Sequence, residues 1–520
     1  MIYLYDTTLR DGTQGEGMSL SVKDKLDIAK RLDRFGIHYI EGGWPGSNPK
    51  DKAFFKEIQN AGIESAKIVA FGSTRRADKK VEDDPNVKAL VESGTQVVTI
   101  FGKSWDFQVK EVFKISLEEN LKMIRDTVSY LKQKGMEVIY DAEHFFDGFK
   151  ENPDYALKTL EEAARAGASN ITLCDTNGGT IPTEVADAVN KIKKKIKIPL
   201  GIHCHNDCNL AVANSIAAVE AGCVLVQGTI NGYGERCGNA NLTSIIPVIQ
   251  IKMKKRCLPD EKLKELTDMS HYVAEICNMS IELNQPFTGR SAFAHKGGVH
   301  IDAMQKNVKT YEHIDPEKVG NHRRFLSSEL GGRTNLMVKA RELNIDLKKD
   351  SPETQRILEQ VQKLENEGYQ FEAAEASFHL LIRRLLGREE KYFEVVSASV
   401  PNEKIGDHSP SAAAIVKVKI PGQAKWVEGQ EENGDGPVDA LYKALRRALE
   451  EKYSQIKQIH LTDYKVRVVD SKAGTAAKVR VFITFQDAKE DWTTVGVNKN
   501  IIEASWQALV EAIQYKLARG

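Results

Sequence analysis

Pro199-Leu200-Gly201-Ile202-His203-Cys204-His205-Asn206-Asp207 sets a short apolar run against two histidines and two polar residues. The apolar part reads as a short buried strand. Successive side chains on a strand point to opposite faces, so the imidazoles of His203 and His205 project together from its C-terminal end. Neutral imidazole is the commonest protein metal ligand. Two of them on one face, followed by Asn206 and Asp207, make half of a divalent metal site; two unrelated histidines on a surface strand would look the same in isolation. What surrounds the stretch decides between these readings.

Short apolar runs recur along the first half of the chain near 2–6, 37–42, 67–71, 96–101, 136–141, 169–174, 199–203 and 223–230. Amphipathic stretches separate most of them. In Ser21–Leu32, for example, Val22, Leu26, Ala29 and Leu32 follow a period of about 3.6 residues, with Ser21 suited to the N-cap. Strand–helix units repeated in this number over roughly 250 residues predict a closed (β/α)8 barrel over 1–255, in preference to an open doubly wound sheet. Residues 256–388 turn helical, as in Glu261–Leu266, with a polar, Gly-rich interruption at Thr288–His300. They are read as a helical subdomain.

Residues 389–520 carry a duplicated pattern of strand pairs followed by a helix, an α+β unit. The first copy runs Glu394–Val400, Ala414–Ile420, Trp426 and a helix through Val438, Leu441, Leu445 and Leu449. The second runs Lys465–Asp470, Ala477–Phe485, Trp492 and a helix through Ile502, Trp506, Leu509 and Ile513. Alternation in Val416-Lys417-Val418-Lys419 and Val466-Arg467-Val468 predicts sheets solvated on one face. Dimerisation or ligand sensing are the roles such a repeat serves.

Lys plus Arg and Asp plus Glu number 73 each, so no charge excess points to nucleic acid or a membrane surface. No apolar run is long enough to span a bilayer. The N-terminus shows no signal-peptide pattern, and the seven cysteines are scattered with no paired CxxC ladder, so a reducing cytoplasm is expected.

In a (β/α)8 barrel the C-terminal ends of the strands converge on one mouth. Here those ends carry Arg10-Asp11, Glu41, Asp141-Ala142-Glu143, Asp175-Thr176, His203, His205 and Asn231 to Asn239. Buried carboxylates without partners would cost several kcal/mol, and a bound cation removes that cost. Asp11, His203 and His205 offer two nitrogens and an oxygen with positions left open. That set suits Mg²⁺, Mn²⁺, Zn²⁺ or Co²⁺ and the chelation of a 2-oxo acid. Arg10 stands beside it, placed to neutralise an oxygen that becomes an alkoxide.

Asp6-Thr7-Thr8-Leu9-Arg10-Asp11-Gly12-Thr13-Gln14, His203-Cys204-His205-Asn206-Asp207 and Gly232-Tyr233-Gly234-Glu235-Arg236-Cys237-Gly238-Asn239-Ala240 resemble the 2-isopropylmalate and homocitrate synthase family. That family shares the helical extension, and many members carry a duplicated C-terminal regulatory domain. Ile40-Glu41-Gly42-Gly43-Trp44-Pro45-Gly46-Ser47-Asn48-Pro49 and Phe101-Gly102-Lys103-Ser104-Trp105-Asp106 look like its citramalate-forming branch. The context of Glu143, the Asn177 after Thr176 and Asn209 after the histidine pair depart from the leucine-pathway pattern.

The resemblance implies an acyltransferase that joins acetyl-CoA to pyruvate by a Claisen-type condensation, early in isoleucine biosynthesis. It implies a divalent metal on Asp11, His203 and His205, with Asn239 as a weaker or outer ligand. Arg10, Gln14, Glu143 and Thr176 would line the 2-oxo acid pocket, while His300 and Tyr311 would assist deprotonation and thioester hydrolysis. A homodimer and feedback by a branched-chain amino acid, isoleucine above all, follow from the same likeness. Condensation onto 2-oxoisovalerate, a lyase reaction on the same barrel, and a catalytically silent metal-binding sensor are the competing expectations.

Overall fold

A computed structural model describes residues 1–325, 351–371, 374–403, 411–469, 477–487 and 490–519. They fall into two compact units. One comprises Met1–Phe293 with Ile314–Arg323, the other Ala294–His313 with Arg324–Gly520.

In the first unit, eight parallel strands close into a barrel in sequence order. They are β1 (Tyr3–Asp6), β2 (Tyr39–Gly43), β3 (Lys67–Ser73), β4 (Val97–Lys103), β5 (Glu137–Glu143), β6 (Asn170–Asp175), β7 (Leu200–Cys204) and β8 (Leu225–Gly228). β1 pairs with both β2 and β8, which closes the ring. Helices follow the strands because the intervening stretches are amphipathic and capped. Ser21 Oγ accepts from the Asp24 N–H while Asp24 accepts from the Ser21 N–H, so two otherwise orphaned donors are satisfied at the start of the helix Val22–Phe35. Of the expected stripe Val22, Leu26, Ala29 and Leu32, the last two are buried with Ile28 and Phe35, Val22 and Leu26 pack partly buried at its side, and Lys25 and Asp33 are buried as well. Lys25 is tolerated inside because its ammonium pairs with Asp51 and donates to the Gly42 carbonyl at 3.1 Å.

Alternation along the strands builds the barrel interior in layers. Tyr5, Val69, Val97, Ile139 and Leu225 form an apolar floor. Two residues further along come Thr99, Asp141 and Gln227, all buried, joined by buried Glu41 and Thr172. This polar layer satisfies itself. Tyr5 donates to Glu41 at 2.5 Å and lies 2.8 Å from Thr99, and Gln227 donates to Asp141 and Thr172. Another two residues reach Phe101, Glu143 and Cys174, which line the mouth together with Phe71, two residues beyond Val69. A Cβ at Gly201 would meet Thr172 Oγ1 at 2.7 Å, so glycine at this point lets β7 lie close to β6 beneath His203.

The second unit contains the helices Gly298–Lys306, Pro352–Asn366 and Glu375–Leu385 and a duplicated sheet-and-helix motif. Where the sequence pattern showed two strands before each helix, the first copy has four, one of them the two-residue strand Asn402–Glu403, and the second has three. The other added strands are Val427–Gly434 and Asp491–Asn498, beginning just after Trp426 and around Trp492. The helices Pro437–Leu449 and Ile501–Arg519 bury Leu441, Leu445, Leu449, Leu509 and Ile513 in one core. Val416 and Val418 are fully buried, as alternation predicts, but Val466 and Val468 are exposed on the edge strand His460–Val468. Asp470, the expected end of that strand, lies outside the described residues. Among the described residues no helix is long and apolar enough to cross a membrane.

Candidate active site

The mouth of the barrel encloses a cavity of about 220 Å³. Arg10, Asp11, Gln14, Glu143, Thr176, His203 and His205 all line it.

Asp11 follows β1 on a tight turn in which its N–H and those of Arg10 and Gly12 all bond the Thr7 carbonyl. This places its carboxylate under the two imidazoles. His203 Nε2 lies 3.4 Å and His205 Nε2 3.6 Å from Asp11 Oδ2. The three ligand atoms fall within 4.8 Å of one another, all in buried residues. Burial pushes the Asp11 carboxyl up, but the Arg10 guanidinium and the imidazoles outweigh it and hold the group well below the usual carboxylate range. Burial, then His205, holds His203 down at about 3, so its ring is neutral.

Asn239 sits beside His205 through a backbone bridge. Its Nδ2 donates to the Tyr233 carbonyl at 3.3 Å, whereas its Oδ1 is buried and accepts no hydrogen bond from the described residues. A buried acceptor left without a donor is what a cation site next to His205 would need. The glycines of Gly232–Asn239 let the loop wrap it: a Cβ at Gly234 would come within 2.3 Å of Asn239 Nδ2. The group therefore fits a divalent cation.

The two histidines are not equivalent. Gln227 Oε1 lies 3.0 Å from His203 Nδ1, so that nitrogen carries the ring proton and Nε2 is free. Arg236 Nη2 donates to His205 Nδ1 at 2.6 Å, which puts the proton of a neutral His205 on Nε2. Arg236 is itself gripped by Asp207, at 2.7 and 3.0 Å. A cation taken through His205 Nε2 requires the Arg236 contact to open.

Arg10 is locked from three sides. Its Nε donates to Glu41 at 2.6 Å, its Nη1 stands 3.4 Å from Asp11, and its guanidinium lies 3.7 Å from the centre of the Phe71 ring. Phe71, Phe101 and Trp44 form an aromatic wall, with ring centroids 5.5 to 5.8 Å apart. Trp44 is anchored by Asn86 and by Asp51, which accepts from its backbone N–H.

Thr176 Oγ1 accepts from the backbone N–H of His144 at 2.8 Å, which leaves its own proton for a ligand. His144 reaches that position in the left-handed region, at φ 55°, and its ring meets Asp147 and Trp105. Glu143 pairs with Lys103, its neighbour across β4 and β5. Asp175, counted among the mouth groups from sequence, instead accepts from Thr180 and Asn214 and braces the strand end. His300 and Tyr311 stand together in the second unit, stacked at 4.0 Å between centroids. Gln227, His144 and Phe71 were not singled out from sequence, and Trp44, Phe101 and Lys103, which stand in the stretches that carry the resemblance, were given no role there. Strand alternation alone could have placed Phe71 and Phe101 two residues above Val69 and Thr99.

The profile of the HMGL-like family matches residues 1–273. A homocitrate synthase post-HMGL domain-like profile matches 287–369, and the LeuA allosteric (dimerisation) domain matches 372–517. The (R)-citramalate synthase of Geobacter sulfurreducens is 54% identical over 518 residues, covering 99% of this chain and 98% of that protein. That of Aquifex aeolicus is 53% identical over 524 residues, covering 100% and 98%. The 2-isopropylmalate synthase of Methanocaldococcus jannaschii is 31% identical over 522 residues, covering 100% and 95%. The chain belongs to the HMGL-like family and, within it, to the (R)-citramalate synthases.

Proposed function

We propose that this chain condenses acetyl-CoA with pyruvate and water to (R)-citramalate and free CoA. The aromatic wall of Trp44, Phe71 and Phe101 carries the substrate assignment. It stands in the same pocket as the Asp11–His203–His205 group and leaves a small cavity, suited to a 2-oxo acid whose side chain is a methyl.

Asp11, His203 and His205, with Asn239 beside them, would hold Mg²⁺, Mn²⁺, Zn²⁺ or Co²⁺, and such an ion when bound polarises the keto group of the acceptor. The chain's own residues supply the rest. Arg10, already held by Glu41 and Phe71, meets the keto oxygen as it gains negative charge and costs no reorganisation at that moment. The Thr176 hydroxyl donates to the substrate carboxylate, and Gln14 lines the same cavity. Glu143 faces the cavity and positions a water, while His300 with Tyr311 supplies a second candidate base for the methyl proton of acetyl-CoA. The new carbon–carbon bond joins that methyl carbon to the keto carbon. Water then cleaves the thioester, and its proton leaves with the CoA thiolate.

Isoleucine, the end product that this step would feed, is the proposed effector, bound by the C-terminal repeat of a homodimer. Truncation after Glu390 then removes inhibition and leaves some turnover, because the effector acts only through the state its domain prefers. A truncated enzyme still inhibited by isoleucine would refute this regulation.

Release of free CoA thiol, measured separately with pyruvate, 2-oxoisovalerate and 2-oxoglutarate, tests the assignment. Pyruvate is expected to give the highest kcat/KM. Preference for 2-oxoisovalerate would instead make the chain a 2-isopropylmalate synthase.

A further inference from the structure

We propose that Gln227 makes His203 a ready metal ligand, and that Asp141 and Thr172 hold Gln227 in the one orientation that does so. The inference rests on reading Asp11, His203 and His205 as a metal centre.

Gln227 lies fully buried on β8, inside the barrel and away from the cavity lining. Its Nε2 donates both hydrogens, to Asp141 Oδ1 at 2.9 Å and to Thr172 Oγ1 at 3.2 Å. Thr172 spends its own proton on Asn170 Oδ1 at 3.2 Å, so toward Gln227 it can only accept. Turning the amide over would set its carbonyl against these two acceptors and its NH₂ against His203. The carbonyl therefore faces His203 Nδ1 at 3.0 Å, and Nδ1 must carry the hydrogen. The lone pair of Nε2 is left pointing at the Asp11 side of the site, 3.4 Å from Oδ2.

The contrast with His205 gives this consequence. Arg236 leaves His205 in the other tautomer, so the chain enters metal binding with one imidazole preset and one that must rearrange. His203 is then the first ligand to engage, and Gln227 is the positioning residue behind it.

Calorimetric titration of the full chain with Mn²⁺ tests this. Gln227→Met keeps the volume but removes the acceptor, and its Mn²⁺ affinity should fall about 10–100-fold, the usual effect of losing such a partner. Gln227→Glu still accepts from His203 but sets a carboxylate against Asp141, and it should also bind weakly. Adding Asp141→Asn to Gln227→Glu restores a donor–acceptor pair with reversed polarity and should recover most of the affinity. A merely structural Gln227 would not be rescued in this way. Gln227→Met binding Mn²⁺ within about twofold of the parent overturns the proposal. So does a double variant no tighter than Gln227→Glu, which decides the matter if Gln227→Met does not fold. Failure of the parent chain itself to bind Mn²⁺ would overturn the metal-centre reading and this inference with it.

Discussion

Lys103 Nζ lies 2.5 Å from Glu143 Oε2, between direct register partners on β4 and β5. The ammonium also sits 5.7 and 5.6 Å from the ring centres of Phe101 and Phe113. Lys103 is thus packed in place, and it fixes where the Glu143 carboxylate stands at the edge of the cavity. A displacement of about 1 Å at a reacting group can cost roughly 10²-fold in rate. Lys103→Met should lower kcat by about 10–100-fold with little change in KM for pyruvate, and Lys103→Arg should recover part of it. Steady-state CoA release on the three proteins gives the answer; a Lys103→Met enzyme impaired in KM alone would count against a positioning role.

The aromatic wall makes a specificity prediction. Phe101 contributes to it through Trp44 and Phe71, whereas Phe71 is the ring that carries the Arg10 guanidinium. Phe101→Ala should therefore open space while leaving the alkoxide-stabilising group in place. One methylene in an apolar pocket changes discrimination by roughly 10–200-fold. The ratio of kcat/KM for 2-oxoisovalerate over pyruvate should rise by at least about tenfold. An unchanged ratio would place the acceptor's side chain elsewhere.

What could be seen in the sequence follows from which signals are local. Strand alternation and capped amphipathic helices are local, and they located the barrel strands and the cap at Ser21. The spacing of His203 and His205 is local too, and Asp11 needed only the rule that strand ends share a mouth. Gln227 was invisible because Leu225-Val226-Gln227-Gly228 reads as plain strand, and its partners lie on β5, β6 and β7. Arg236 against His205 and Lys103 against Glu143 are tertiary pairs of the same kind. Asp175 was misplaced because a carboxylate after a strand can face the surrounding helices as easily as the mouth. The strand Val427–Gly434 escaped because Val-Glu-Gly-Gln-Glu-Glu-Asn-Gly shows little apolar alternation.

Glu511 in the second unit gives a pH prediction. Its carboxylate is bonded by Ser377, and burial pushes its pKa up to about 7. A carboxyl raised in the folded state binds its proton more tightly there than in the unfolded chain. Stability is therefore highest below the unfolded value and is lost as pH rises through about 7. Glu511→Gln, which cannot ionise, should slow amide hydrogen exchange in the helix Ile501–Arg519 at pH 8 and have little effect at pH 5. Equal effects at both pH values would mean that the side chain acts through packing alone.

Metal binding should appear as stability as well as turnover. The bare Nε2 of His203 faces the carboxylate oxygen of Asp11, with the Nε2 of His205 beside it, an arrangement that a cation resolves. A ligand that binds only the folded state adds about 2.7 kcal/mol at a hundred times its Kd. Mn²⁺ at that excess should raise the unfolding temperature of the barrel by roughly 5 °C or more. Chelation should abolish CoA release, and added Mn²⁺ should restore it. His203→Ala should lose both the thermal response and turnover, while Lys103→Met, which leaves the ligands intact, should keep the thermal response. The divergence separates a metal centre from a buried ion-pair cluster, for which added metal would shift neither protein.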